Sequence, residues 1–421
     1  MNETLRGAAL PVAVVIASVG LLATGCSASP EASPPTSVES PSTPVVVPAP
    51  EQKCLDPSAD VMSKVRQLIN QPAAKQTDFF NYSGIEPTAY RTLYQDFRKT
   101  TAQSMGLTYF NGEAAANALI PQGSVDSKDP RPFSTFLTAA QDFAKPYGID
   151  VTLAKPNDPG LTLGAHEPAA SDLETASAKA DMASIIEALG VQPVEFHKTA
   201  KLKHIVLMAG SKAEVTTNEG GNGTSSKPDD VEGYVNPGRD YDTMYLNVDA
   251  RFSSHTVLHE EGHERDDVQC GAADMFNDQA FKAISTAPYT GTTFDDKNSY
   301  YTAAYRDPSE VILNDLQLNE QLGRKKQVCA DKAAYAAAGK LLEYVSDYHP
   351  NAPEDKAEVD AELADDIGGL YLFTIEGVTE SPLRKKAELE LARNYMQNPT
   401  IVEFIAATSS RAQPLASSEN C

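Results

Sequence analysis

"VLHEEGHERDD", residues 257–267, sets two histidines four positions apart, with a glutamate directly after the first. On an α-helix, residues four apart lie one above the other on the same face. His259 and His263 can therefore present two imidazole nitrogens to one ion, with Glu260 at their flank. Zinc takes neutral nitrogen donors at about 2.0–2.1 Å, and in reactive sites it keeps one position open for water. A carboxylate beside that water can take its proton. A charged surface turn can spell the same letters by chance, so the flanks have to decide. Directly upstream, "TMYLNVD" (243–249) alternates as a half-buried strand should, and the residues through the motif suit a helix. Gly262 sits inside that helix at a cost of about 1 kcal/mol relative to alanine, which implies a close approach by another element.

A third ligand has to come from elsewhere. His255 lies on the same helical face, but eight positions span about 12 Å of helix axis, too far for His255 and His263 to share an ion. A glycine and a third histidine at fixed places after the motif are excluded, because Asp266 and Gln269 stand there. The remaining common solution is a glutamate on a later helix. "YYTAAYRDPSEVILNDL" (300–316) offers Glu310, with Pro308 in the first turn of the helix it opens. Asp266 and Asp267, one turn after His263, either orient a ligand imidazole or form an exposed acidic helix end.

The order "EFHKTAKLKHIVLM" (195–208), "MYLNV" (244–248), "HEEGHERDD" (259–267) and "YRDPSE" (305–310) resembles the gluzincin metallopeptidases, especially those with a catalytic domain like that of anthrax lethal factor. The likeness covers about residues 170–320. It implies zinc on His259, His263 and Glu310, with Glu260 as general base and Tyr301 or Tyr305 donating to an oxyanion. For each tyrosine, core packing beside the site is the plain alternative. The implied fold is α+β and mostly helical: a zincin-like domain with a small sheet, an edge strand and an active-site helix. The implied activity is hydrolysis of a peptide or protein substrate. A binding or scaffold module with little turnover is the alternative, although such a module has no need of a base like Glu260.

The ends of the chain point outside the cytoplasm. Residues 7–22, "GAALPVAVVIASVGLL", are apolar but short, and "LLATGC" (21–26) resembles a bacterial lipobox. Residues 1–26 are therefore expected to be a lipoprotein-type signal, with membrane attachment through lipid on Cys26. The Pro- and Ser-dense stretch 27–53 suits an extended tether. A mainly helical region is expected over 54–168, the metallopeptidase-like domain over 169–408, and a tail over 409–421. Within these, "IDVTLA", "HIVLM" and "TMYLNVD" read as strands, and the Gly- and Asp-rich stretch within 216–242 as a solvated mobile loop. With Cys26 acylated, Cys54, Cys270, Cys329 and Cys421 remain, and three pairings are possible; Cys270–Cys329 with Cys54–Cys421 is the favoured expectation. The formal charge of −23 argues against nucleic acid as a partner.

Overall fold

A computed structural model describes residues 54–70, 87–121, 129–162, 164–218, 224–235, 242–271, 278–285, 352–364 and 380–409, with isolated positions 326, 337 and 340. The expected signal and tether lie outside these residues. The described part is mostly helical with a small mixed sheet, an α+β arrangement. Among the described residues, no helix is long and apolar enough to cross a membrane.

Four helices come first: α1 (Ala59–Ile69), α2 (Pro87–Ser104), α3 (Gly112–Leu119) and α4 (Phe133–Ala144). Side-chain oxygens of Ser58 and Asn111 accept from backbone N–H groups in the first turns of α1 and α3, satisfying donors that a helix start leaves open. β1 (Asp150–Leu153) follows, then α5 (Ala176–Val191), whose N-cap is Thr175. β2 (His204–Met208) pairs in parallel with β1, residue 150 opposite 204. β3 (Lys212–Asn218) and β4 (Thr224–Asp230) form an antiparallel ribbon where a mobile loop was expected. Val215, Thr216, Thr217 and Thr224 favour a strand, although polar and turn-forming residues dominate the two runs, which is why they read as a loop.

β5 (Gly233–Val235) and β6 (Thr243–Asn247) complete the main sheet, in the order β1-β2-β6-β5. β2 and β6 are parallel, whereas β5 runs antiparallel to β6 and forms one edge. The alternation of the strands divides the apolar residues between two faces. Ile205, Leu207, Met244 and Leu246 join the principal core, which extends from Val65 of α1 to the C-terminal helices. Val206, Met208, Tyr234 and Tyr245 form a smaller cluster on the other face.

Immediately after β6 comes α6 (Ser254–Cys270), the helix that carries the opening motif. Ser253 and Thr256 cap its start reciprocally, and the hydroxyl of Thr256 donates to Glu232 at 2.6 Å. The last long elements are α7 (Ala352–Ala364), α8 (Pro382–Gln397) and α9 (Pro399–Ser409). α7 packs along α6, and α8 backs α7.

The disulfide expectation is corrected. Cys54 is bonded to Cys270, at the end of α6, while Cys329 and Cys421 lie outside the described residues. The cause is where the start of the folded chain docks: the N–H of Leu55 donates to the carbonyl of Gln269 at 2.9 Å, and Arg393 of α8 donates to the carbonyl of Leu55. The bond thus ties the point where the expected tether ends to the far end of the histidine helix.

Candidate metal centre

α6 is buried on nearly all sides, although it is not apolar. Glu260, Glu261, His263, Glu264, Arg265 and Asp266 are all at most 1% exposed. Burying a charge is tolerated when it is paired, and α7 supplies most of the partners. Arg265 donates to Asp360 at 2.9 Å and to Glu261 at 3.2 Å, and Glu261 also meets His197 Nδ1 at 2.8 Å. Lys356 of α7 forms a fully buried ion pair with Asp266 and lies 3.4 Å from Asp278. These pairs fix how α7 lies along α6.

The close approach anticipated at Gly262 is made by α7. A Cβ placed on Gly262 would stand 2.9 Å from Ala357 Cα and 3.2 Å from its carbonyl oxygen, so any side chain there would force the helices apart. With hydrogen on one side and a methyl on the other, the residues one turn to either side come within reach of each other. Glu354 Oε2 lies 3.2 Å from His259 Nε2 and 3.2 Å from His263 Nε2. One turn further along α7, Glu358 Oε1 lies 2.7 Å from the other nitrogen of His259, Nδ1.

Two donors bound to one tetrahedral zinc at about 2.0–2.1 Å stand roughly 3.3–3.4 Å apart, so the two 3.2 Å separations suit hydrogen bonds and would also suit ligands around a common centre. His259, His263 and Glu354 form one of the groups that could hold a metal ion, with one donor atom from each and all three donors within 4.8 Å of one another. Glu358 completes the pattern, because an imidazole that binds metal through Nε2 keeps its proton on Nδ1 and donates it to a carboxylate.

The electrostatics suit a cation. The two nearby histidines hold Glu354 down to about 2 despite its burial. His259 is pushed the other way from burial, well above its usual value, by Glu354 and Glu358. Glu260 lies beside this cluster and faces β5, where a Cβ on Gly233 would come within 3.3 Å of its Cγ. Burial raises the Glu260 carboxyl to about 8; Glu354 adds to the rise, and His259 and the backbone of Val235 work against it. Val235 stays short of full hydrogen-bond geometry, and neither oxygen of Glu260 has a hydrogen-bond partner among the described residues. An unsatisfied buried carboxylate calls for an explanation, and a water held between this carboxylate and a metal would supply one.

His259, Glu260 and His263 thus come together. Glu310, Tyr301 and Tyr305 lie outside the described residues; among the described residues, the carboxylate that reaches both imidazoles is Glu354. Asp266, considered as an orienting group, serves Lys356 instead, and Glu358 takes the orienting place. Sequence reasoning missed both glutamates. Glu354 and Glu358 repeat on one helix the four-residue step of His259 and His263 on the other, but nothing local in the sequence ties that pair to the histidines. Comparison of the chain with protein-family models, with curated proteins and with solved structures finds no match.

Proposed function

We propose that the chain is a zinc-dependent peptidase, exported and tethered to the outer face of the cell membrane through lipid on Cys26. The observation that carries the catalytic part is Glu354 Oε2 standing 3.2 Å from both motif nitrogens, with the unpartnered Glu260 alongside. His259, His263 and Glu354 would hold the ion. Bound zinc supplies Lewis acidity, which brings the pKa of a coordinated water to about 7 and polarises a carbonyl.

Glu260 takes the water's proton on its carboxylate and passes it to the departing amine nitrogen. Its high pKa in the metal-free chain comes from burial, and a dication beside it favours the ionised form that a base requires. Glu358 keeps His259 in the tautomer that leaves Nε2 free to ligate. β5, the antiparallel edge strand among the described residues, lies beside the base, with Gly233 abutting Glu260. All three of its residues are buried, so a peptide added to that edge by main-chain hydrogen bonds would first require it to be uncovered. This arrangement is zincin-like in layout.

The burial of all four residues favours a second reading, in which zinc serves a binding or scaffold module with little turnover; none of these residues is more than 1% exposed. A mixed peptide library digested by wild type and Glu260→Gln, at matched zinc content, separates the two. The peptidase account expects cleavage by wild type and a loss of about a hundredfold to ten-thousandfold in the variant. Equal cleavage by both overturns the mechanism, and no cleavage by either supports the module. For the tether, mass spectrometry of the mature N-terminus should find a lipid-modified Cys26; an unmodified mature N-terminus would contradict it.

A further inference from the structure

His255 stands one turn before His259 on the α6 face turned to α7, and the proposed centre does not use it. Its Nε2 lies 3.5 Å from Oε1 and 3.4 Å from Oε2 of Glu358, nearly equidistant from the two oxygens. Glu362, a turn beyond Glu358 on α7, adds its negative charge at His255. The cluster reaches solvent: the His255 side chain is 35% exposed, against 2% for His259.

These separations are longer than the usual N–H···O bond of about 2.7–3.2 Å, and they lie close to the roughly 3.3–3.4 Å between two donors on a tetrahedral ion. His255, His259 and Glu358 likewise make up a group with donor atoms within 4.8 Å of one another. His259 cannot ligate a second ion through Nδ1 while that nitrogen keeps its proton for Glu358. The donors left at the rim are therefore His255 Nε2 and the Glu358 carboxylate, with Glu362 one turn away.

We propose that His255 and Glu358, assisted by Glu362, form a second and weaker divalent-cation site at the rim, which takes zinc when the metal is in excess. The site shares Glu358 with the buried centre. Its occupation draws that carboxylate away from His259 Nδ1 and weakens the orientation of a buried ligand, so excess zinc opposes the inner site instead of supporting it. The inference rests on the buried donor set described above but not on peptidase activity.

The test is equilibrium zinc titration of the full chain against a chromophoric competitor, for wild type, His255→Ala and His204→Ala. His204 is a control, a 45% exposed histidine beside Asp150 and remote in sequence from the cluster. Wild type and His204→Ala should bind two zinc ions, one tightly and one at least tenfold more weakly. His255→Ala should keep the tight ion and lose the weak one. A single zinc in wild type even with excess metal, a second zinc that survives His255→Ala, or one that disappears in His204→Ala would overturn the rim site. Loss of the tight ion from wild type would instead strike the buried centre.

Discussion

Among the described residues, two pairs of helices cross at a glycine, and the crossings are built differently. α3 meets α5 where Gly112 faces Gly190: a Cβ on Gly112 would stand 2.6 Å from Gly190 Cα. The surroundings there are apolar, with Ala116, Ile186 and Leu189 in the principal core. α6 meets α7 where Gly262 faces Ala357, among His259, His263, Glu354 and the Arg265–Asp360 and Lys356–Asp266 pairs. Apolar contact is non-directional and tolerates small shifts. Ion pairs and ligands do not, since a helix turned by one residue moves each side chain through about 100°. The first crossing fixes a distance; the second fixes a distance and a register, and the register brings Glu354 to the histidines.

Removing the ligand should have the largest effect. Glu354→Ala leaves two protein donors and should weaken zinc binding well beyond a hundredfold, whereas Glu358→Gln, which only loosens the orientation of His259, should weaken it about tenfold to a hundredfold. Competition titration ranks them, and equal losses would break the distinction between ligand and orienting group.

Lys356→Met tests the register directly. It leaves Asp266 buried without its cation, and losing one partner of a buried pair costs about 3–5 kcal/mol, readable in chemical denaturation. Replacing both members, as Lys356→Met with Asp266→Leu, should be less damaging to stability than Lys356→Met alone. A double variant that is worse than the single one would mean that the pair is not a unit.

The two glycines give the sharper contrast at smaller cost. Gly190→Ala overpacks the apolar crossing and should cost about 1–3 kcal/mol while leaving the zinc affinity of the folded protein unchanged. Gly262→Ala should show a similar loss of stability together with weakened zinc binding, because α7 carries Glu354 away as it shifts. If both variants bind zinc like wild type, register does not govern the centre.

The remaining prediction concerns pH in the metal-free protein. Glu260 has its folded pKa raised to about 8 by burial, from a usual 4.5. A carboxyl raised in this way favours folding below its unfolded value, and that contribution is lost as pH rises from about 4.5 through 8. Glu354 behaves oppositely: held down to about 2, it stabilises above 4.5, and its contribution is lost as pH falls towards 2. Glu260→Gln should therefore raise the Tm of zinc-free protein more at pH 8.5 than at pH 5. An equal gain at both values would show that Glu260 is not desolvated.

The histidine half of the centre was legible because its information is local. Two imidazoles four residues apart need only one helix, and "TMYLNVD" before them announces the strand that leads in. Gly262 also announced a close neighbour without naming it. The carboxylate half was not legible, since Glu354 lies 91 residues beyond His263 and spacing constrains nothing at that range. Periodicity in "KAEVDAELADD" suggests a helix from Lys356, yet it begins at Ala352 with Pro353 in its first turn, a place that suits proline. α7 also misleads by composition, because it buries Glu354, Asp355, Lys356 and Asp360 where an exposed charged face would be expected. The disulfide was beyond reach for a simpler reason: four cysteines allow three pairings, and which one forms depends on where Leu55 docks.

The measurement that bears most directly on the centre is a crystal structure of the zinc-loaded protein with anomalous data at the zinc edge. The account predicts one strong peak about 2.0–2.2 Å from His259 Nε2, His263 Nε2 and an oxygen of Glu354, with Glu358 still at His259 Nδ1. A peak ligated by Glu310 instead of Glu354, or no peak at the two histidines, would contradict it.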